Sequence, residues 1–270
     1  MSDRTSPDAS PTPAADVPPQ AFAGSAGPYP EPAADAPLVV FDFDHTLYDG
    51  DSGSHLFAWL IKRDWWRLLL ALLIAPVAGP MIAWLPTRRR GISAFVWVGS
   101  LGMRRVVDFD AAIDRYVDTH TAAIQARLLP IALDVLRAHR EAGDRVVIAT
   151  GAPPELARAI LAFVAQQDLP VVGTLVGPKY GAIGAVRHCH HRMKMTMLRD
   201  AGYTAPVAVA YSDSSADLPL LQAARRPVVV NPKPERVEMF RRVLPAGTEI
   251  LNWGCPGRGG SHRVPNPSKV

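Results

Sequence analysis

Cysteine is scarce in this chain, with only Cys189 and Cys255 among 270 residues. Two thiols in so long a chain exclude a disulfide-stabilised mini-protein, and their wide separation excludes a CxxC motif. Aromatic residues (7%) and charged residues (20%) are modest in number, but 48% of the chain is hydrophobic, which excludes a wholly disordered protein. The composition therefore indicates a globular chain long enough for one large domain or two small ones.

Both ends of the chain lack apolar periodicity. Residues 1–37 contain nine prolines and nine alanines, and we predict a disordered tail there. The absence of an early apolar segment argues against a secretory signal. Residues 254–270 are rich in glycine, proline and serine and are predicted to form a flexible tail.

Between the tails, short apolar runs alternate with segments of helical periodicity. The runs at 37–41, 145–149, 206–210 and 227–230 are typical of buried parallel strands, and the clearest helices are expected at 155–164, 193–201 and 216–224. This alternation predicts an α/β fold, a Rossmann-like parallel sheet with helices on both faces. Ligands of such sheets bind beyond the carboxyl ends of the strands.

Residues 51–140 interrupt the alternation. This stretch is apolar and basic up to residue 103, and helices are expected around 109–127 and 131–142. We therefore predict a catalytic core formed by 38–50 and 141–253, with 51–140 inserted after the first strand as a helical cap. The most apolar part of that cap is 68–103.

The positive charge of the chain is concentrated around one apolar segment of the cap. The net charge of +4 is the sum of −4 from residues 1–37, +7 from residues 56–105 and +1 from the rest, so the basic excess surrounds one segment. That segment, 68–87, has 20 residues without a charge and is preceded by Trp65 and Trp66. As a helix it would be about 30 Å long, the hydrocarbon thickness of a bilayer. Basic residues beside a tryptophan-edged apolar stretch point to anionic lipid rather than to nucleic acid.

Polar residues follow three of the predicted strands. Asp42 and Asp44 form a DxDxT motif after the first strand, Thr150 follows the second, and Asp213 follows the third. Asp217 lies four residues beyond Asp213. A lysine is expected to complete the set: Lys194 lies on a predicted helix, whereas the rival Lys179 lies in a GPKYG stretch typical of a turn.

These motifs, in this order, resemble those of the haloacid dehalogenase superfamily, in particular its phosphoserine-phosphatase-like branch. The resemblance implies that Asp42 attacks phosphorus and that Asp44 protonates the leaving group. It also implies Mg²⁺ as the cofactor, held by Asp42, the backbone carbonyl of Asp44 and Asp213, with support from Asp217 and Ser214. Thr150 and Lys194 would bind the transferring phosphoryl group. His45 and Ser212 stand where many relatives have glycine.

The apolar cap and the motifs at 150–154 and 211–217 together resemble the phosphatidylglycerophosphatase C family. That resemblance implies a phospholipid substrate, phosphatidylglycerophosphate, whose terminal phosphate is removed to give phosphatidylglycerol. The second headgroup phosphate could pair with Arg88, Arg89 and Arg90, or these arginines could simply form a solvated face. A soluble phosphatase of a small metabolite such as phosphoserine is the alternative. A catalytically inactive binding module is disfavoured because all the motif residues are present.

The order of the motifs constrains how the apolar segment can meet a membrane. Asp42 precedes the segment and the other motif residues follow it, so a single full span would separate them. We therefore expect 68–85 to lie in the interface or to re-enter, as a hairpin with 92–103, with Pro76 and Pro80 bending its path. The alternative is that the segment is the buried core of a soluble cap.

The basic residues on both sides of the apolar segment favour the cytoplasmic side of a membrane. The expected location is the cytoplasmic face of a bacterial inner membrane, with the cytoplasm as the alternative. The expected partners are therefore the phospholipid substrate and an anionic membrane surface, with no nucleic acid. No protein partner can be inferred.

Overall fold

A computed structural model describes residues 29–84 and 87–261. Its centre is a sheet of six strands in the order β3-β2-β1-β6-β7-β8, in which every neighbouring pair is parallel. The predicted fold class, an α/β fold with a parallel sheet, is confirmed. The strands of this sheet are β1 (Leu38–Phe41), β2 (Arg145–Ala149), β3 (Val171–Val172), β6 (Val207–Ser212), β7 (Arg226–Val230) and β8 (Glu249–Leu251). A separate antiparallel hairpin consists of β4 (Leu175–Lys179) and β5 (Ala182–Arg187).

Ten α-helices lie within the described ranges. Five of them form the insertion between β1 and the last helix before β2: α1 (Ser52–Arg63), α2 (Trp65–Ala83), α3 (Arg88–Ser100), α4 (Val106–Thr119) and α5 (Thr121–Gln125). The other five accompany the sheet: α6 (Pro130–Glu141), α7 (Pro154–Leu161), α8 (Arg192–Asp200), α9 (Leu218–Ala223) and α10 (Val237–Val243).

The strand order places β1 at the centre of the molecule. From β1, the chain order runs through β2 and β3 on one side and through β6, β7 and β8 on the other. Successive strands are therefore added on opposite sides of the boundary between β1 and β6, and this is the switch point at which parallel α/β sheets open a crevice for ligands. Side chains of β1 alternate between two cores, with Val39 and Phe41 in one and Leu38 and Val40 in the other.

Helices α2 and α3 pack against each other as a helical hairpin, as the sequence predicts for this apolar segment. Gly91 permits their close approach, because a Cβ there would lie 2.7 Å from the Ala78 carbonyl oxygen. Arg67 is buried in the hairpin and donates to the backbone oxygens of Gly99 and Leu101 near the end of α3. One arginine of the basic cluster therefore holds the hairpin together instead of facing solvent. Pro76 and Pro80 both lie inside α2, which runs through them as one helix.

The alternative for the apolar segment, a buried cap core, does not fit its exposure. The window Trp65–Ile82 has the length and hydropathy to cross a membrane. Only 17% of this window is buried, which is too little for a core helix. Trp65, Leu69, Leu72, Leu73 and Val77 are all more than half exposed. Helix α3 covers only one side of α2, and the opposite side presents these residues as a continuous apolar face.

The hairpin of β4 and β5 is an element that sequence periodicity does not reveal. It packs against α3, where the Trp97 indole nitrogen donates to the Tyr180 carbonyl (3.0 Å) and the Ser100 hydroxyl donates to the Ile183 carbonyl (2.7 Å). The β4–β5 hairpin, which follows β3 in the chain, therefore connects the core to the cap. Lys179 lies at the end of β4, close to the turn expected for it.

Helix α6 and parts of both predicted tails pack against the core. Helix α6, assigned to the cap, packs on the sheet: His139 bonds Asp144 and the Tyr211 hydroxyl, which places it in the core. Part of each predicted tail is also ordered, because Tyr29 accepts a hydrogen bond from Gln166 and residues 254–261 pack near Asn231. Helical periodicity alone cannot tell which layer a helix joins. Residues 1–28 and 262–270, the rest of the predicted tails, lie outside the described residues.

Candidate active site

A buried lysine joins two carboxylates at the carboxyl edge of the sheet. Lys194 Nζ lies 2.9 Å from Asp42 Oδ1 and 2.6 Å from Asp217 Oδ2. Asp42 directly follows β1, Asp217 follows β6 through a short 3-10 turn, and Lys194 lies in the first turn of α8. Each of the three residues is less than a tenth exposed. Buried charges are found where they are paired in this way, so three segments far apart in sequence are tied into one site.

The charges of this cluster shift the titration of its members. Burial raises the pKa of Asp42 above its ordinary range, and the nearby Asp217 adds to the effect while Lys194 opposes it. Burial opposes the charge of Lys194, but Asp217 and Asp42 outweigh it and raise the pKa of the lysine. Lys194 is therefore a permanent positive charge beside the Asp42 carboxylate.

Asp44 lies two residues beyond Asp42 in a different environment. Its Oδ1 accepts a hydrogen bond from the backbone nitrogen of Ser52, 2.8 Å away, at the start of α1. Burial raises the pKa of Asp44 to about 7, and the charge of Asp51 adds to the rise. A carboxyl group that holds its proton near neutral pH can act as a general acid, and its ionised form can act as a general base.

Asp213 is the fourth carboxylate of this edge. Burial raises its pKa above the ordinary range, with a further contribution from Asp42. Arg258 Nη1 lies 3.2 Å from Asp213 Oδ2 and opposes that rise. Both side chains are about nine-tenths buried. Arg258 lies in the segment predicted from the sequence to be a flexible tail, so this contact was not expected.

Thr150 is fully buried at the end of β2. Because β2 pairs with β1 in register, with Phe41 opposite Ile148, Thr150 lies at the same edge of the sheet as Asp42. Its hydroxyl accepts a hydrogen bond from the Ala152 nitrogen (3.0 Å), which shapes the loop and leaves the hydroxyl proton available.

Two residues that replace the usual glycines have defined roles. The Ser212 hydroxyl donates to Asp217 Oδ2 (2.8 Å) and accepts from the Ser214 nitrogen (3.1 Å). Ser214 in turn caps the 3-10 turn by accepting from the Ala216 nitrogen. His45 has a φ of 57°, in the left-handed region that favours glycine, and its carbonyl accepts from Asn231 Nδ2 (2.7 Å). Ser212 therefore supports the loop that carries Asp213 and Asp217, and His45 is held in the loop that carries Asp44.

The site residues expected from the sequence fall into two groups. The structure brings Asp42, Lys194 and Asp217 into contact, and it places Asp44, Thr150, Asp213 and Ser214 on the same edge of the sheet. The arginines expected at a lipid headgroup begin α3 in the cap, outside this cluster. Arg90 is exposed there, and the side chains of Arg88 and Arg89 lie outside the described part of the structure. The catalytic and binding roles of all these residues remain predictions.

The donor set suits a hard divalent cation. In residues 29–84 and 87–261, no group of three or more His, Cys, Asp or Glu side chains is clustered as a metal site. Asp42, however, raises the pKa of the buried Asp213, and a cation would relieve this repulsion between the two carboxylates. Mg²⁺ is commonly bound by one or two carboxylates together with waters, so two aspartates and the Asp44 carbonyl fit it. Asp217 is committed to Lys194 and Ser212 and fits a supporting role.

The chain is similar to several known proteins. The Mycobacterium leprae protein ML2424, provisionally named a hydrolase, is 25% identical in an alignment 260 residues long that covers 89% of this chain and 81% of that protein. A Bordetella pertussis Tohama I protein of unknown function superposes with a TM-score of 0.54 at 22% identity, over 78% of this chain and 97% of its own. A phosphoserine phosphatase structure that holds a phospho-aspartyl intermediate analogue gives 0.46 at 12% identity, over 78% and 92%.

The family itself is established by sequence. Residues 39–222, well over half of the chain, match the haloacid dehalogenase-like hydrolases. This range begins in β1, ends in α9 and includes every aspartate, threonine and lysine of the cluster. The prediction of an enzyme is confirmed, because the chain belongs to the haloacid dehalogenase-like hydrolase family.

Proposed function

We propose that this enzyme hydrolyses a phosphomonoester through a covalent phosphate on Asp42. The observation that carries the proposal is the buried contact between Asp42 and Lys194, with Asp44 two residues away. A carboxylate nucleophile repels a phosphate dianion, so a fixed positive charge at the point of attack lowers the barrier. Lys194 supplies that positive charge. A bound Mg²⁺ held by Asp42, Asp213 and the Asp44 carbonyl would neutralise more of the negative charge of the phosphate.

The two aspartates divide the reaction between them. The Asp42 carboxylate forms a bond to phosphorus while the bond from phosphorus to the leaving oxygen breaks, and Asp44 donates its proton to that oxygen. Asp44, now ionised, then takes a proton from a water molecule that attacks the aspartyl phosphate and releases inorganic phosphate. The raised pKa of Asp44, about 7, suits a group that gives and then takes a proton at neutral pH.

The exposed face of α2 favours a phospholipid as the substrate. We define this apolar face as Trp65, Leu69, Leu72, Leu73 and Val77, all of them more than half exposed. A large exposed apolar patch indicates an interaction surface, and a helix about 28 Å long can lie in the headgroup region of a bilayer. The face belongs to the cap, and α1 connects the cap directly to Asp44 through the Ser52 nitrogen. Lipid bound at the cap would therefore deliver its headgroup towards the catalytic edge.

Exposed basic side chains make an anionic membrane the best partner for this face. Lys62, Arg90 and Arg104 are exposed near the ends of the hairpin, and the Arg67 guanidinium lies 4.9 Å from the Trp66 ring. Basic residues beside an apolar face are attracted to anionic headgroups, at about 1 kcal/mol for each lysine or arginine near the surface. We therefore place the enzyme on the cytoplasmic face of a bacterial inner membrane, with phosphatidylglycerophosphate as its substrate.

A phosphate-release panel tests the substrate assignment. The full chain with Mg²⁺ is offered phosphatidylglycerophosphate, phosphatidic acid, lysophosphatidic acid and phosphoserine under the same conditions, with EDTA-treated enzyme as the control. We expect phosphatidylglycerophosphate to be the preferred substrate by kcat/KM and activity to be lost with EDTA. Preference for phosphoserine would overturn the lipid assignment and leave a phosphatase of small metabolites. Release from none of the four would contradict the phosphomonoesterase proposal.

A further inference from the structure

A segment near the chain's carboxyl end contributes a buried arginine to the catalytic edge. Arg258 Nη1 donates to Asp213 Oδ2 (3.2 Å) and to the Asn231 carbonyl oxygen (3.4 Å). The side chains of Arg258 and Asp213 are 11% and 10% exposed. Surface ion pairs are weak, but a buried guanidinium with two acceptors is held in one orientation. This arginine is outside the residues that the family match covers.

The segment that carries Arg258 is itself fixed by several hydrogen bonds. Asn252 Nδ2 donates to the Arg258 carbonyl oxygen (2.9 Å), and the Gly259 nitrogen donates to the Pro232 carbonyl oxygen (2.8 Å). Gly260 has a φ of 108°, and a Cβ there would lie 2.4 Å from the Leu251 carbonyl carbon, so only glycine suits this path. The backbone at and directly after Arg258 is therefore anchored to the core.

The same contacts connect Arg258 to the loop that carries the nucleophile. Asn231, whose carbonyl accepts from Arg258, donates through Nδ2 to the His45 carbonyl oxygen (2.7 Å) and accepts from the Trp253 nitrogen (2.6 Å). His45 lies one residue beyond Asp44. One network thus joins the segment at 252–260, the end of β7 and the loop after β1.

We propose that Arg258 is a positioning residue that holds Asp213 in the orientation needed to bind the divalent cation. The inference rests on the proposed function, because it assigns Asp213 as a metal ligand. The hydrogen bond uses Oδ2 of the carboxylate and leaves Oδ1 for a cation. Partners that hold a metal ligand from behind set its direction, and their loss typically weakens metal affinity about 10- to 100-fold.

The test measures Mg²⁺ binding directly by titration calorimetry on the full chain, with MgCl₂ as the only ligand. We compare the wild type with Arg258→Met, which keeps the length of the side chain but removes its charge and donors. Arg242→Met is the matched control, because Arg242 is exposed and forms an ion pair with Glu238 on its own helix, α10. We expect the Kd for Mg²⁺ to rise about 10- to 100-fold in Arg258→Met and to stay unchanged in Arg242→Met.

Two further measurements separate positioning from a structural role. Raising Mg²⁺ to saturation should restore most of kcat in Arg258→Met, since its catalytic groups are intact. If Arg258→Met does not fold, Arg258→Lys is decisive: it keeps the charge but lacks the planar fork, so we expect a smaller loss of Mg²⁺ affinity. An unchanged or tighter Kd in either variant overturns the positioning role. Absence of Mg²⁺ binding by the wild type overturns the metal assignment and this inference together.

Discussion

Lys194 Nζ lies between the carboxylates of Asp42 and Asp217, at 2.9 Å and 2.6 Å. Asp42, the predicted nucleophile in the DxDxT motif, is thus joined to Asp217 through Lys194, which lies 152 positions beyond Asp42 in the chain. Two like charges in a buried site repel each other, and the ammonium group between them turns that repulsion into a stable arrangement.

Removal of this ammonium should cost both stability and activity. In Lys194→Met the two carboxylates stay buried without their counter-charge, and we expect the free energy of unfolding to fall by about 3–5 kcal/mol. Urea denaturation followed by circular dichroism measures the change. Lys179→Met is the matched control, because Lys179 is the other lysine that the sequence offers for this role and it is exposed on β4. A loss of stability in Lys179→Met equal to that in Lys194→Met would contradict the assignment.

The nucleophile is tested by an isosteric change. Asp42→Asn keeps the shape of the side chain and its contact distance to Lys194 but replaces the attacking carboxylate with an amide. We expect phosphate release to fall by about 10³-fold or more, while thermal unfolding remains cooperative. Asp134→Asn, at an exposed aspartate on α6, should leave turnover unchanged. Turnover at the wild-type rate in Asp42→Asn would exclude an aspartyl-phosphate mechanism through this residue.

Mg²⁺ should stabilise the protein more at pH 8 than at pH 5. Burial raises the pKa of Asp42, Asp44 and Asp213 above their ordinary 3.8, so the folded protein keeps protons that the unfolded chain has lost. Stability without metal is therefore highest below about pH 4 for these groups and falls as the pH rises towards their folded pKa values. A cation replaces those protons and stabilises the folded state by mass action.

Thermal shifts with and without MgCl₂ across pH 5–8 measure this effect. Asp213→Asn, which lacks one expected ligand, should show a much smaller shift at pH 8. A Mg²⁺-induced shift of the same size at every pH would show that protons and the cation do not compete for these carboxylates.

The charge of Asp51 should set the alkaline limit of activity. Asp51 is, after burial, the largest contributor to the raised pKa of Asp44. In Asp51→Asn the pKa of Asp44 should fall, so the acid form is lost at a lower pH and the alkaline limb of kcat/KM moves down. Asparagine also caps helices well, so α1 should still begin at Ser52. Profiles of kcat/KM against pH measure the shift, and a limb that stays in place would show that Asp44 is not the group that titrates.

The apolar face of α2 should carry the enzyme to anionic vesicles. We expect the wild type to float with phosphatidylglycerol-containing liposomes at low salt, and the double variant Leu72→Asp with Leu73→Asp to remain in the soluble fraction. Val186→Asp is the matched control, because Val186 is equally exposed, at 71%, but lies on β5. Failure of the wild type to float would overturn the membrane assignment. Equal flotation of the α2 double variant would show that another surface binds the vesicle.

Most strands and helices of the core have a local sequence pattern, an apolar run or a helical periodicity, and can therefore be predicted from the sequence. The four strands expected from apolar runs are β1, β2, β6 and β7, and the helices expected around 155–164, 193–201 and 216–224 correspond to α7, α8 and α9. Strands β3 and β8 have two and three residues, and the hairpin of β4 and β5 includes Gly177 and Pro178, so none of these has a run long enough to identify.

Sequence by itself determined the family of this protein and the groups available for its chemistry: a DxDxT motif followed by a threonine, a lysine and further aspartates is the set on which the proposed phosphoryl transfer rests. Tertiary structure decided which lysine and arginine side chains pair with which carboxylates. Only the packing shows that Lys194 forms ion pairs with Asp42 and Asp217. It also shows that Arg67 links the two helices of the cap hairpin. Arg258 contacts Asp213 from a segment that the sequence predicts to be a tail. The physical reason is that an ion pair depends on distance and burial, and neither is encoded by spacing along the chain.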